Sequence, residues 1–251
     1  MHHKILVVGD AHITNGQSLR RFKCLNTYIR LHEPTHVILI GDFLSMDCLS
    51  EWDRNKRCKM EGRRYNLEIE AGNTALDLML QDLEHLQEHP KLIYVKGNHE
   101  NRLDRYLDID PTFKGQCSIE KDLKLKERGF QVVEYKDNYN VNGISFTHIP
   151  ITGVGKPIGN PNVVRKALQL YHNSVVFGHT HTLDHAAEHR QNAPHLNQAL
   201  CVGCFFEHVD DYAVGSKTDY WRGLVMLTSN QKNRFDFETI SMTNLLKDYG
   251  E

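Results

Sequence analysis

Two aspartates, one asparagine and five histidines of this chain share one kind of position, the end of a short apolar run. Asp10 and His12 follow Lys4–Val8, Asp42 follows Val37–Ile40, and Asn98 and His99 follow Leu92–Val95. His148 follows Gly143–Thr147, and His179 and His181 follow Val175–Phe177. Imidazole is the commonest protein metal ligand, and carboxylate and amide oxygens complete mixed nitrogen–oxygen sites. Metal binding is therefore the chemistry these residues suggest. Taken singly, an Asp-x-His or a His-x-His is an ordinary turn or surface feature. Five such ends in one chain carry more weight, because carboxylates and imidazoles desolvated together without an ion are costly. Side chains alternate along an extended segment, so Asp10 and His12 should point the same way. His179 and His181 should do so too, with Thr180 pointing away, and each pair can then converge on one ion.

For those ends to meet, the apolar runs must be neighbouring strands, and open α/β sheets place their sites at the carboxyl ends of strands. The patterning supplies such strands. Between the first two lies a helical stripe over 18–32, with Leu19, Phe22, Leu25 and Ile29 on one face. A longer helix over about 66–88 carries Leu76, Met79, Leu80, Leu83 and Leu86 toward the core, and Pro90 closes it. The second half reads as more β-rich. Strands at 130–134 and 143–147 come first, then a Gly/Pro-rich loop over 150–161 and a helix near 162–171. The strand 175–177 follows, and further strands fall near 183–189, 198–202, 221–227 and 234–239. Strand–helix alternation followed by antiparallel strands predicts an α/β fold with two sheets packed together. No repeat, low-complexity stretch or linker divides the chain, so 1–251 reads as one domain. A short amphipathic tail, 241–251, is placed to cap the core or meet a partner.

The ordered motifs GDAH at 9–12, GD at 41–42, GNHE at 97–100, His148 and GHTH at 178–181 resemble the calcineurin-like metallophosphoesterase superfamily. The resemblance runs from residue 5 to about 182. It implies a four-layer α/β/β/α fold of two mixed β-sheets flanked by helices. It also implies a dinuclear centre: Asp10, His12, Asp42 and His181 on one ion, and Asp42, Asn98, His148 and His179 on the other, with Asp42 bridging. Such a nitrogen–oxygen set without thiolate favours Mn²⁺ foremost, then Fe, Zn²⁺ or Ni²⁺, over Ca²⁺. The implied reaction is phosphoester hydrolysis by in-line attack of a metal-bridging hydroxide. His99 is then the candidate general acid, and Arg102 is placed to reach a phosphate oxygen. The family's protein phosphatases orient this histidine with a carboxylate three residues after the Gly-Asp aspartate. Position 45 is serine here, which leaves Asp47 or Glu100 for that task. Ile149-Pro150 stands where many members carry glycine. The close approach to phosphate is therefore expected from the glycines at 153–159, with Lys156 among them.

The stretch 43–64 should lie near the metals, because it leaves the strand that delivers Asp42. It holds Trp52 and the cations Arg54, Lys56, Arg57, Lys59, Arg63 and Arg64, partly balanced by Glu51, Asp53 and Glu61. A base could stack on Trp52, although a solvated helix face reads equally well. Of the 16 histidines, His32, His36, His85, His89, His172 and His195 fall in helices or turns outside any motif and read as ordinary. His185, His189 and His208 follow the last motif and could line the cleft.

Composition limits the function classes. With 40% hydrophobic and 25% charged residues and a formal net charge of -2, the chain is an ordinary globular sequence rather than a polycation. No apolar run approaches a membrane span, and the start does not read as a signal peptide. The six cysteines, including the isolated pair Cys201 and Cys204, read as reduced thiols of a cytoplasmic protein. A hydrolase of a small phosphoester or nucleotide is the leading expectation. A nuclease or nucleic-acid end-processing enzyme with the same centre comes second. A protein phosphatase ranks behind both, because the Gly-Asp segment lacks that group's continuation. A non-catalytic scaffold ranks last, because no ligand position is missing.

Overall fold

The computed structural model describes residues 2–86, 88–159, 161–189, 196–207 and 219–250. In chain order, β1 (His3–Val8), α1 (Arg20–His32) and β2 (His36–Leu39) precede the short helix α2 (Arg57–Met60) and α3 (Tyr65–Leu80). Then come β3 (Lys91–Val95), α4 (Asn101–Ile109), α5 (Ile119–Asp122), β4 (Phe130–Val133), β5 (Tyr139–Val141) and β6 (Ile144–Thr147). The chain continues with α6 (Val163–Leu170), β7 (Val175–Phe177), β8 (Leu183–His189), β9 (Leu196–Val202), β10 (Gly223–Ser229), β11 (Asp236–Ser241) and α7 (Met242–Asp248).

The strands form a six-stranded sheet, ordered β11-β10-β1-β2-β3-β4, and a five-stranded sheet, ordered β5-β6-β7-β9-β8. Both are mixed: β1 to β4 run parallel, as do β6, β7 and β9, while β10, β11, β5 and β8 pair antiparallel. The two-residue period of a strand divides the core. Ile5, Val7, Ile38, Ile40, Ile93 and Val95 pack between the sheets with Phe146, Val176, Leu200 and Val202. Leu6, Val8, Val37, Leu39 and Tyr94 face the other way, onto Phe22, Leu25 and Ile29 of α1, Leu76 and Met79 of α3, and Leu245 of α7. On the far side α6 covers Val175, Phe177, Ala199 and Cys201. The layers are therefore α/β/β/α, as expected.

Three local readings differ. The long helix stops at Leu80 because Gln81 turns extended and Asp82 is left-handed at φ 58°, so Leu83–His85 is a separate 3-10 turn. Helix α4, which begins right after GNHE, and the edge strand β5 carry little periodic signal and were not anticipated. The tail is a helix, α7, capped by the Ser241 hydroxyl, and its buried Met242 and Leu245 cap the core. All six cysteines are free thiols. No helix among the described residues is long and apolar enough to cross a membrane.

Candidate metal centre

Parallel pairing brings the ends of β1, β2 and β3 to one edge of the first sheet, and the ends of β6 and β7 to the matching edge of the second. Cross-bonds then join the loops. The amides of Ala11 and His12 both donate to Asp42 O, at 3.0 and 2.9 Å, and Gly178 N donates to His148 O at 3.1 Å. His179 N donates to both carboxylate oxygens of Asp10, at 3.1 and 3.0 Å, which ties the two sheets together at the site. Glycines make the approach close enough. A Cβ at Gly97 would overlap Asp42 Oδ1, and one at Gly178 would overlap Asp10 Oδ1.

Three overlapping groups of side chains result, each with donor atoms within 4.8 Å of one another: Asp10, His12 and His181; His12, Asp42 and His99; and Asp42, His148 and His179. His181 Nε2 lies 3.0 Å from Asp10 Oδ2 and 3.2 Å from His12 Nε2. Asp42 Oδ2 lies 3.4 Å from His148 Nε2 and 3.8 Å from both His12 Nε2 and His99 Nε2. Asn98 Oδ1 meets His148 Nε2 at 2.9 Å. All the sequence-predicted ligand positions therefore meet in one place, with Asp42 between the groups. The residues fit a pair of cations. Two imidazole nitrogens on one ion, at bonds of about 2.0–2.1 Å, sit roughly 3.3 Å apart in tetrahedral geometry. The His12–His181 spacing matches this, and two nitrogens facing each other otherwise compete for a single proton.

The local route to this convergence is not the expected one. His179 and His181 are not on an extended segment; both are left-handed, with φ 69° and 60°. His12 (φ 44°) and Asp42 (φ 46°) are left-handed too. Histidine and aspartate enter that region more readily than most residues, and each such residue still costs on the order of 1 kcal/mol or more. Thr180 does turn away, its hydroxyl lying 3.0 Å from Cys201 Sγ.

Charge divides the cluster. Burial opposes ionisation of Asp10 and Asp42, but the surrounding histidines together outweigh it, His148 first, then His181 for Asp10 and His99 and His12 for Asp42, and hold both carboxyls below their ordinary range, Asp42 well below. His148 is buried as well, yet the Asp42 and Asp10 charges push it up to about 9. Its Nδ1 donates to the Ile40 carbonyl at 3.0 Å, which directs Nε2 at Asn98 and Asp42. Burial, then the neighbouring His99, pushes His12 down to about 3. Burial, then His148, lowers His179.

Neither carboxylate expected to orient His99 touches it. The Ser45 carbonyl does, 2.6 Å from His99 Nδ1, so the nearest acceptor is backbone at the very position where serine replaced the expected carboxylate. Arg102 Nη2 lies 3.1 Å from His99 Nε2, and Arg102 Nη1 reaches Ser45 O at 2.9 Å and Asp47 Oδ1 at 3.2 Å. Asp47 thus stands one residue removed from His99, beyond Arg102. Glu100 is fully buried and faces the other way. It accepts from the amides of Asp42 (3.1 Å), Leu44 (2.9 Å) and Gly97 (2.7 Å) and from the Tyr94 hydroxyl (3.1 Å). Burial, then the Asp42 charge, pushes it up to about 7. Its work is to brace the Asp42 turn against the GNHE turn.

Lys156 lies on an exposed hairpin closed by the Ile151–Pro157 bridge, and it does not line the cavity beside His12 and His99. Trp52 does line that cavity. His36 is buried in β2, His185 packs near Phe235 and Phe237, and His195 and His208 lie outside the described residues. Sequence reasoning missed Arg21, a fully buried cation on α1. It donates to Phe205 O (2.9 Å), Ser18 O (2.6 Å) and Ala11 O (3.2 Å) and so pins the loop between Asp10 and His12. An arginine on the apolar stripe beside Phe22 was the available signal. Also missed were Phe206, with its ring 5.4 Å from His12 and 5.3 Å from His181, and Tyr220, 4.7 Å from His181.

A model of the calcineurin-like phosphoesterases matches residues 3–183. The chain belongs to the calcineurin-like phosphoesterase family. The chemistry of that family is phosphoester hydrolysis, and the clustered aspartates and histidines could hold metal ions. The match ends at the start of β8, so Phe206 and Tyr220 stand on a part of this phosphoesterase beyond it. No curated protein matches the chain. Among solved structures, it is similar at 11% identity to a purple acid phosphatase from yellow lupin (Lupinus luteus) seeds, over 98% of this chain and 55% of that one, with a TM-score of 0.32. The chain thus spans little more than half the length of that protein. It is also similar at 11% identity to a dimetal phosphatase from Danio rerio, over 95% and 98% of the two chains, with a TM-score of 0.39.

Proposed function

We propose that this phosphoesterase hydrolyses a small phosphoester or nucleotide, with Asp10, His12, Asp42 and His181 holding one divalent cation and Asp42, Asn98, His148 and His179 the other. The observation that carries the reading is the place of Asp42 Oδ2, within 3.8 Å of ring nitrogens of His148, His12 and His99 and so shared by both groups. When bound, the pair of cations clamps the phosphate and makes an attacking water acidic enough to ionise near neutral pH.

The chain's own residues do the rest. Backbone bonds and glycine contacts hold the ligand side chains before any ion arrives, so little reorganisation is left for catalysis. His148 must release its Nε2 proton to coordinate, which couples loading to proton release. His99 stands beside Asp42 and opens onto the neighbouring cavity, where a leaving alcohol would lie, and it is the group to protonate that oxygen. Ser45 O fixes the ring through Nδ1, and Arg102 must swing off Nε2 before that nitrogen can carry a proton to be given away. Arg102 then faces a phosphate oxygen with its Asp47 contact intact. The nitrogen–oxygen ligand set, without thiolate, supports Mn²⁺ ahead of Fe, Zn²⁺ and Ni²⁺, and six free thiols support a cytoplasmic setting.

The test is turnover of p-nitrophenyl phosphate and bis(p-nitrophenyl) phosphate with each of the four metals supplied, alongside elemental analysis. Stimulation by Mn²⁺, about two metals per chain, and loss of one on His179→Ala or His181→Ala are expected. No turnover of either ester with any metal overturns the reading.

A further inference from the structure

The cavity that begins at His12 and His99 has a volume of about 940 Å³, far more room than a phosphate needs, and the 43–64 stretch builds its far wall. A pocket of this size is on the scale of a drug-sized ligand. Because it opens beside His99, a group filling it is the part of the substrate that departs. Three features of its lining describe that group. Trp52 presents a flat ring that is 85% exposed, with Lys56 Nζ 5.6 Å from its centre. A planar surface so open to water is a stacking platform for an aromatic base. Gln17 and Asn15, two side chains with amide groups, line the same cavity. Cations stand on the insert side. Asp53 occupies Lys56 at 2.7 Å, whereas the Arg64 guanidinium lines the cavity with a backbone carbonyl, Arg63 O, at 2.8 Å.

A ring to stack on, an amide to pair with and an arginine for an anion, in one cavity next to the general-acid candidate, together describe a nucleotide. We infer that the leaving group is a nucleotide unit, an aromatic base carrying at least one phosphate of its own, so that the substrate is a short single-stranded oligonucleotide. This rests on the proposed hydrolysis and moves its substrate from a single nucleotide to a short chain of them, the reading ranked second from sequence. The reaction consumes one water. The water's oxygen joins phosphorus, the bond from phosphorus to the nucleotide's sugar oxygen breaks, and that oxygen leaves as an alcohol with the proton delivered to it.

Two measurements test it. In the first, metal-free protein is titrated with thymidine 3′,5′-bisphosphate while indole fluorescence is followed. Saturable quenching in the native chain that disappears in Trp52→Phe is expected, and quenching that survives the substitution, or none at all, overturns the inference. In the second, kcat/KM is compared for tetrathymidylate and p-nitrophenyl phosphate with Mn²⁺ supplied. Trp52→Ala and Arg64→Ala should each lower the ratio of the two constants about tenfold, the scale of one lost stacking contact. A ratio that does not move, or native protein that turns over p-nitrophenyl phosphate but not the tetranucleotide, overturns the nucleotide assignment and leaves the hydrolase reading standing. Failure of both substrates with every metal overturns the hydrolase reading itself, and fluorescence then judges the pocket alone.

Discussion

Two regions wall the same cavity and are built in opposite ways. The metal cradle is made of turns pressed between two sheets. Its carboxylates and most of its rings are buried, four of its residues are held left-handed, and its amides are spoken for by Asp42 O, Asp10 and Glu100. The insert after β2 is made of short helical turns at the surface. It is fastened by ion pairs of partly exposed groups, Lys56 and Arg63 with Asp53 and Arg102 with Asp47. Only at its root is it bound like the cradle, where buried Glu68 accepts from the amides of Asp47 and Cys48 at 3.1 and 2.9 Å. The difference separates tasks. Coordination tolerates little displacement, so its residues are fixed by packing and backbone bonds. Selectivity for a leaving group needs only a surface of the right chemistry, which surface ion pairs can hold at small energetic cost.

Substitutions can break that contrast. Asp42→Asn, in the residue both ligand groups share, should lower kcat on p-nitrophenyl phosphate by about a thousandfold or more, with metal content reduced by elemental analysis. Gly178→Ala forces a methyl group onto Asp10 Oδ1. A shift of about 1 Å in catalytic geometry costs on the order of a hundredfold, so activity should fall by that order while circular dichroism stays native. Glu100→Gln sets an amide donor against backbone N–H groups that now meet carboxylate oxygens. It should cost about 2 kcal/mol in urea denaturation, since unmet buried groups cost roughly 1–3 kcal/mol each.

A buried histidine outside both regions calibrates these effects. Burial, then Lys91 and His3, pushes His36 down to about 4 from 6.5. The unfolded chain therefore takes up this proton first. The stability His36 protects is whole above pH 6.5 and drains as pH falls from there toward 4. Because solvent reaches part of the ring's surroundings, the effect should be about 1 kcal/mol between pH 7.5 and 5, and His36→Gln should shrink the measured difference by that amount. Asp53→Asn, which unfastens Lys56 and Arg63 in the insert, should change stability least, within about 1 kcal/mol, as is typical of surface pairs. A larger loss there than for Glu100→Gln would reverse the contrast.

Much of the site was legible because its information is local. A glycine, a chelating residue and a preceding apolar run can be read within about ten positions, and their order marks the family. The two packed sheets were legible for the same reason, since strand–helix alternation followed by antiparallel strands can be read along the chain, and the four layers followed from the resemblance. Expectations failed where a partner distant in sequence makes the decision. Alternation along an extended strand was the wrong reason for the His179–His181 convergence, because the chain is left-handed there and pinned to Asp10 from the other sheet. The partner of His99 could not be read, because a backbone carbonyl has no residue type.

The sequence by itself determined the motifs that mark the family and the strand–helix alternation that predicts two packed sheets, since each follows from residue type and period along one stretch of chain, and the four layers came with the resemblance. The tertiary structure alone decided which atoms face each other. Whether Glu100 braces a turn or orients a histidine, whether Arg21 is a surface cation or a buried clamp, and where Lys156 lies all depend on distances between segments tens to hundreds of residues apart. So does the charge asymmetry between His12 and His148, because a ring is driven down by burial or up by carboxylates according to what the fold sets beside it.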